Sequence, residues 1–245
     1  MDLEALFRLF TGLPRGGPGT DRATREALDR LPALPANPRV LDIGCGPGKQ
    51  TLVLAHELHT PIIAMDIHRP FLEQLDAAAR AEGVDHLITT RQGDMASIEE
   101  PAGSVDLIWS EGAIFIVGFA KGLSLWRPML RDGGLVVVSE AAWLIDPPAE
   151  EAKVFWHACY PAITDIPGNI AIAEAAGYEV IDHFVLPQAE WWPDFYAPLE
   201  ERCRALRPTA DPALLEQIEE NEHEIDLFRR HSDSYSYVFF ILRKV

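Results

Sequence analysis

The segment Val40–Gly48, with the sequence VLDIGCGPG, constrains the fold of this chain more than any other stretch. An apolar run contains Asp42, and three glycines follow at alternate positions: Gly44, Gly46 and Gly48. Glycine has no Cβ, so it tolerates positive φ and lets the backbone turn tightly beside a ligand. Helix-forming sequence follows over Gln50–Leu58. A strand, a glycine turn and a helix in this order predict a nucleotide-binding loop at the carboxyl end of a parallel strand.

The register of these glycines differs from that of a dinucleotide site. The dinucleotide fingerprint G-x-G-x-x-G has its third glycine three residues after the second. That position is Lys49 here, and the third glycine is Gly48. The pattern is instead D-x-G-x-G-x-G, with Asp42 two residues before the first glycine. A carboxylate in this place suits a ligand that presents a cationic amino group and has no phosphate to repel it.

The charge of the chain bears on its partners. The sequence has 245 residues and a formal net charge of −17. Such a surface repels phosphate backbones and supplies no basic stripe, so we do not expect DNA or RNA as a partner. Anionic membranes are disfavoured for the same reason. The charge favours a small-molecule substrate that is neutral or cationic.

Other features of the sequence predict a cytoplasmic protein. No apolar run approaches the roughly 20 residues that span a bilayer, and the acidic segment Met1–Glu4 lacks the pattern of a signal peptide. The three cysteines, at positions 45, 159 and 203, are widely spaced and odd in number. This favours a reducing compartment over a disulfide scaffold. The sequence leaves a monomer and a homodimer both open.

Strand and helix patterns alternate along the chain and predict one α/β domain over residues 1–245 with a parallel sheet. Predicted strands are Val40–Ile43, Pro61–Asp66, Leu87–Gln92, Val105–Trp109, Gly134–Glu140, Tyr178–Leu186 and Tyr235–Arg243. Predicted helices include Arg22–Leu31, Gln50–Leu58, Arg69–Ala81 and Pro212–Arg230. Two aromatic-rich segments, 141–177 and 187–234, exceed what a minimal domain needs.

The loop pattern D-x-G-x-G-x-G resembles the cofactor loop of class I S-adenosylmethionine (SAM)-dependent methyltransferases. The resemblance covers the chain from about residue 20 to its end. It implies a Rossmann-like, seven-stranded, mostly parallel sheet with helices on both faces and an antiparallel last strand. It also implies SAM as the cofactor and a small aromatic-rich cap over the substrate, formed by the segments 141–177 and 187–234. The sequences WSEGAI, from Trp109, and VSEAAW, from Val138, resemble those of bacterial methyltransferases that lack an assigned acceptor.

The resemblance also suggests residues that contact the cofactor. Asp66 closes the second predicted strand, where an acidic residue accepts hydrogen bonds from both ribose hydroxyls. In the family, the residue at the position of Asp94 accepts a hydrogen bond from the adenine amino group. The residue at the position of Met95 packs on the adenine ring. Ser110 follows the fourth strand, where cofactor and substrate are expected to converge. The full predicted set is Asp42, Gly44, Cys45, Gly46, Gly48, Asp66, Ile67, Asp94, Met95 and Ser110.

Candidate catalytic residues are Glu111, Glu140 and His157. A general base is needed only when the methyl acceptor carries a proton, as a hydroxyl or an ammonium does. Glu140 ends the fifth predicted strand on the side of the site, Glu111 follows the fourth, and His157 lies in the aromatic segment FWHACY. No metal site is predicted, because His56 and His59 have no third ligand at a fitting spacing.

The acceptor is left open by the sequence. No Asn/Asp-Pro-Pro-aromatic motif follows the fourth strand, and its absence disfavours methylation of nucleobases or glutamine. The aromatic residues of the two extra segments suit an amine through cation–π contacts, a planar aromatic acceptor, or simply the core of the cap. An NAD-dependent oxidoreductase and a non-catalytic SAM-binding module remain as alternatives. Residues 1–20 could fold over the site as a lid, with Gly12–Gly19 as its hinge.

Overall fold

A twisted sheet forms the centre of the computed structural model, which describes residues 2–245; Met1, where the predicted domain begins, lies outside the described residues. The spatial order of the strands is β3-β2-β1-β4-β5-β8-β7, and β6 pairs with β5. The strands are β1 Val40–Ile43, β2 Ile62–Asp66, β3 Ile88–Gln92, β4 Val105–Ser110, β5 Leu130–Trp143, β6 Thr164–Asp165, β7 Tyr178–Val185 and β8 Tyr235–Lys244.

The sheet is mostly parallel, as the sequence predicts. Strands β1 to β5 pair in parallel with their neighbours, and β8 runs antiparallel to both β5 and β7. The two-residue strand β6 adds an eighth strand to the seven expected. It forms because β5 extends beyond its predicted end at Glu140 to Trp143, which gives Thr164–Asp165 an edge to pair with.

Helices cover both faces of the sheet. They are α1 Leu3–Phe10, α2 Asp21–Asp29, α3 Lys49–Leu58, α4 Arg69–Glu82, α5 Phe119–Trp126, α6 Glu150–Cys159, α7 Ile166–Ala175, α8 Ala197–Leu206 and α9 Pro212–His231. Side-chain caps fix two of the predicted helix starts. The Thr20 hydroxyl accepts a hydrogen bond from Ala23 N at 3.2 Å, and Asp211 accepts one from Leu214 N at 2.9 Å.

The core lies on both sides of the sheet because the central strands are apolar on both faces. In β5, Leu135 and Val137 pack with α2, α3, α4, α8 and α9. The alternate residues Val136 and Val138 pack with α5 and α7 on the other face. This arrangement confirms the predicted Rossmann-like fold class.

The two segments predicted to form a cap have mixed positions in the fold. Residues 141–143 continue β5, and α7 packs against the sheet through Ile166, Ile170 and Ala173. Helix α6 and the stretch from 187 to 234 lie outside this parallel framework and carry seven of the nine Phe, Trp and Tyr residues of the two segments. No helix within residues 2–245 is both long and apolar enough to cross a membrane.

Candidate functional site

The glycine loop between β1 and α3 has a backbone that side chains would disrupt. Gly44 and Gly48 have φ values of +69° and +86°. A Cβ on Gly44 would lie 2.6 Å from Ala113 Cβ, and one on Gly48 would lie 2.3 Å from Leu75 Cδ1. Both positions therefore need glycine for conformation and for space. The loop is anchored to β2, since the N–H groups of Gly44 and Cys45 both donate to Met65 O, at 2.8 and 2.9 Å.

Asp66 lies at the carboxyl end of β2, beside this loop. Its Oδ2 accepts a hydrogen bond from Gly46 N at 2.9 Å, and its Oδ1 accepts one from His68 N at 2.8 Å. Burial raises the pKa of Asp66, while these two backbone N–H groups act to lower it. A carboxylate oxygen accepts about two hydrogen bonds, so both oxygens keep a lone pair for a ligand hydroxyl.

Asp42 is the most deeply buried acid of the site, at 0% exposure. Its Oδ2 accepts a hydrogen bond from the Thr51 hydroxyl at 2.6 Å, whereas Oδ1 is buried with no partner in the described part of the chain. Burial raises the pKa of Asp42 to about 7, and the charges of Glu111 and Asp66 also raise it. An unpaired buried acceptor is costly unless a donor reaches it. Asp42 is therefore suited to a donor that a ligand supplies.

The other predicted cofactor residues surround the loop in different ways. The Cys45 thiol is buried, and the Cys45 carbonyl accepts from Gln50 Nε2 at 2.9 Å, so this residue supports the turn through its backbone. Met95 contacts the loop, because its Cε would lie 3.1 Å from a Cβ on Gly44. Asp94 is exposed and caps its own turn by accepting from Ala96 N at 2.8 Å.

Two further predicted residues flank the ends of β2 and β4. Ile67 follows Asp66 and is 55% exposed, which leaves an apolar side chain at the surface beside the loop. Ser110 is fully buried, and its hydroxyl donates to Ile43 O at 2.8 Å. This bond joins the end of β4 to the start of the glycine loop.

Glu111 forms a buried ion pair that the sequence did not predict. Arg15 Nη1 donates to Glu111 Oε2 at 3.0 Å, and both side chains are almost fully buried. Trp109 Nε1 and the Thr24 hydroxyl each donate to Glu111 Oε1 at 2.8 Å. Burial still raises the pKa of Glu111, although Arg15 acts to lower it. In this arrangement Glu111 anchors the N-terminal segment, and its role as a base stays a prediction.

The N-terminal segment 15–19 covers the glycine loop. A Cβ on Gly46 would lie 3.8 Å from Gly16 N, and a Cβ on Gly17 would lie 3.7 Å from Gly112 Cα. The segment therefore spans the cofactor loop and the turn after β4. This is the position that the lid hypothesis requires.

Glu140, near the carboxyl end of β5, is another buried acid. Its side chain is 1% exposed, and its Oε2 is buried with no partner among residues 2–245. The Tyr160 hydroxyl hydrogen-bonds to the carboxyl group, but burial prevails and raises the pKa of Glu140 to about 8. Glu140 is thus protonated at neutral pH and one of its oxygens is free to bind a polar group.

His157 lies apart from these acids. It is exposed on α6, and its ring lies edge-on to Trp143 with 6.4 Å between ring centroids. Glu111 and Glu140 flank the hydrogen bond from Gly112 N to the Ser139 hydroxyl, which measures 2.7 Å. The catalytic roles of these three candidates remain predictions.

Comparison with known proteins agrees with the fold and the loop. Residues 40–134 match the sequence profile of a family described as "Methyltransferase domain". The chain is 26% identical over 200 residues to "Uncharacterized protein YjhP" of Escherichia coli, covering 78% of this chain and 77% of that one. It is 28% identical over 122 residues to dimethylglycine N-methyltransferase of Parasynechococcus marenigrum, covering 49% of this chain and 44% of that one.

A solved structure is similar over the whole chain. The SAM-dependent methyltransferase from Thiobacillus denitrificans, in complex with S-adenosyl-L-homocysteine, has a TM-score of 0.83 and 22% identity. The match covers 100% of this chain and 99% of that one. This likeness confirms the predicted Rossmann-like fold. The part of the chain that matches the methyltransferase profile, residues 40–134, contains the glycine loop, Asp66 and Asp94.

Proposed function

We propose that this chain is a methyltransferase that transfers a methyl group from SAM to a small-molecule acceptor. The observation that carries the proposal is the hydrogen bond between the Asp66 side chain and the glycine loop. One carboxylate oxygen lies 2.9 Å from Gly46 N, at the end of the strand next to the loop. A carboxylate held beside the loop in this way can accept hydrogen bonds from the hydroxyls of a ribose.

The charges beside the loop support SAM over a dinucleotide. Asp42 and Asp66 both border the loop, and burial raises the pKa of each. A diphosphate would add negative charge beside these carboxylates, whereas SAM brings a sulfonium and an amino group. The buried Oδ1 of Asp42, which has no hydrogen-bond partner within residues 2–245, suits the amino group. The NAD-dependent alternative has no comparable support.

The protein would orient the cofactor and the acceptor, exclude water from the site and take up a proton from the acceptor. SAM supplies an electrophilic methyl group, which leaves the cofactor sulfur as its bond to the acceptor forms. The segment 15–19 lies against the loop and would shield it from water. Glu140, in its ionised form, would take the proton that a hydroxyl or an ammonium acceptor loses. A pKa of about 8 places this acid near the pH at which the proton must move.

Titration with S-adenosylhomocysteine by calorimetry tests the cofactor assignment. We expect saturable binding, and we expect Asp66→Asn to weaken it about tenfold or more, since a hydrogen bond to a charged group contributes about 1.5–3 kcal/mol. The exposed Asp85→Asn serves as the matched control and should bind like the wild type. No binding of S-adenosylhomocysteine, with saturable binding of NADH instead, would overturn the proposal.

Catalysis needs its own measurement, because binding residues alone are also compatible with a non-catalytic module. Production of S-adenosylhomocysteine should be followed with a panel of amines, phenols and thiols. We expect turnover with at least one acceptor class. If no class is turned over while S-adenosylhomocysteine binds, the non-catalytic alternative would be favoured.

A further inference from the structure

The polar contacts of segment 15–19 come from a single side chain. The segment contains neither helix nor strand, and in the described part of the chain its main chain makes no hydrogen bond. The hydrogen bonds that it does make come from the Arg15 guanidinium. This group donates to Glu111 at 3.0 Å, to Asp21 at 3.1 Å and to the Thr24 hydroxyl at 3.4 Å. The attachment of the segment therefore depends on Arg15.

The chain on either side of segment 15–19 is fixed. Before it, Leu13 is buried, and its carbonyl accepts a hydrogen bond from Gln74 Nε2 at 2.8 Å. After it, Thr20 caps α2. Three of the five residues between these points are glycines, which have more accessible backbone conformations than any other residue. The segment can therefore move while the helices before and after it stay in place.

Segment 15–19 lies over both loops that border the proposed cofactor site. Gly16 is exposed, whereas Pro47 of the glycine loop is buried, and a Cβ on Gly16 would lie 3.9 Å from Pro47 Cδ. Gly17 lies against the turn after β4, since a Cβ on it would lie 3.7 Å from Gly112 Cα. The segment thus separates the glycine loop from solvent, and a ligand of this loop has to pass it.

The charges at the attachment point favour a cationic ligand when the segment is away. The side chains of Arg15 and Glu111 are 3% and 4% exposed, so each is the main compensation for the charge of the other. Glu111 is also close enough to Asp42 for its charge to raise the pKa of that residue. Without Arg15, the negative charge of Glu111 beside Asp42 is uncompensated. The open form therefore attracts a positively charged ligand more strongly than the closed form does.

We propose that segment 15–19 is a gate for the cofactor, held closed by the buried ion pair of Arg15 and Glu111, an inference that rests on the proposed function. The pair separates when SAM enters and when S-adenosylhomocysteine leaves. Glu111 is the fixed partner, because Trp109 and Thr24 also hold it, and Arg15 is the partner that moves. The frequency of opening then limits both the association and the dissociation of the cofactor.

A reversible disulfide between the segment and the turn tests the gate. Gly17→Cys and Gly112→Cys would be combined in a Cys159→Ser background, because the Cys159 thiol is exposed. A Cβ on either glycine would lie 3.7 Å from the Cα of the other, which is close enough for a disulfide. Peptide mass spectrometry verifies the bond. The oxidised and reduced forms carry the same substitutions, so strain from the new side chains is common to both.

Stopped-flow tryptophan fluorescence would follow the binding and release of S-adenosylhomocysteine. Trp109 is an internal reporter, because its Nε1 lies 2.8 Å from Glu111 Oε1. We expect association and dissociation both to be about tenfold or more slower in the oxidised form, since the disulfide removes the open population. Reduction should restore both rates. The oxidant should leave both rates of the Cys159→Ser protein unchanged.

Arg15→Lys tests the ion pair without a disulfide. Lysine keeps the positive charge but lacks the planar fork of donors that reaches three acceptors at once. We expect association and dissociation both to become faster, about threefold or more. A residue that only contacts the cofactor would instead speed dissociation and leave association unchanged. Arg25→Lys, in an exposed pair with Glu57, is the matched control and should change neither rate.

Three results would overturn the gate: equal rates in the oxidised and reduced forms, a cysteine pair that does not oxidise, or unchanged rates in Arg15→Lys. A pair that does not oxidise would mean that the segment does not rest on the turn. In each case the proposed function stands as long as the wild type binds S-adenosylhomocysteine. A wild type that does not bind it would refute the proposed function instead.

Discussion

Replacing Glu140 by glutamine isolates the cost of keeping a carboxyl group inside the protein. The side chain is 1% exposed, and burial raises its pKa from an ordinary value of 4.5 to about 8. The folded protein therefore retains a proton at pH values where the unfolded chain has released it. The sign follows from this difference: stability from this group is fully present below pH 4.5 and is lost as the pH rises toward 8.

The size of the effect follows from the two pKa values. One pH unit between them corresponds to about 1.36 kcal/mol. Between pH 5 and pH 8 the wild type should lose about 3 kcal/mol of its free energy of unfolding through Glu140. Glutamine keeps an acceptor for the Tyr160 hydroxyl and has no proton to release in this range. Glu140→Gln should therefore gain about 3 kcal/mol relative to the wild type between pH 5 and pH 8.

Urea unfolding of both proteins at pH 5, 6, 7 and 8 measures this difference. The other titrating groups are common to the two proteins, so their contributions cancel in the comparison. The exposed Glu99→Gln serves as a control and should run parallel to the wild type at every pH. If Glu140→Gln also runs parallel, the carboxyl group ionises at an ordinary pH in the folded protein and the reasoning fails.

Two further predictions concern the loop and the N-terminal segment. Gly48→Ala should cost about 2 kcal/mol or more, since it combines a φ of +86° with a Cβ 2.3 Å from Leu75 Cδ1. Leu75→Ala, a buried truncation, should itself cost about 2–5 kcal/mol, but Gly48→Ala should cost less in that background than alone because the clashing atoms are gone. Arg15→Met should cost about 3–5 kcal/mol, because it leaves the buried Glu111 without its cation. The exposed Arg25→Met should cost at most about 1 kcal/mol. Urea unfolding measures each single variant and the Gly48→Ala/Leu75→Ala double variant.

These two predictions fail in different ways. A Gly48→Ala protein as stable as the wild type would mean that the loop relaxes without strain. Equal costs for Arg15→Met and Arg25→Met would mean that burial adds nothing to the Arg15 pair.

The strand, the glycine loop and Asp66 could be predicted from the sequence because they depend on local order along the chain. Alternate glycines after an apolar strand leave few conformations, and the end of the next strand lies beside them in a parallel sheet. Glu140 could be placed on the same edge for the same reason. These residues lie at the ends of strands, and the order of the strands in the sheet determines which of these ends lie close together.

The buried ion pair depends on contacts that local patterns do not encode. Arg15 and Glu111 are 96 residues apart in sequence, and no local spacing connects them. The Gly/Pro-rich stretch Gly12–Gly19, which contains Arg15, suggests the hinge of a lid but gives no partner for Arg15.

The raised pKa values of the site have a common physical cause. Burial is the largest contribution for Asp42, Asp66, Glu111 and Glu140 alike. Glu111 has Arg15 within 3.0 Å, yet burial outweighs even this cation. The charges of Glu111 and Asp66 also raise the pKa of Asp42. Carboxyl groups held this way are stabilised in their charged form by a positive charge brought from outside. A sulfonium cofactor brings one, so its binding should lower these pKa values and release protons.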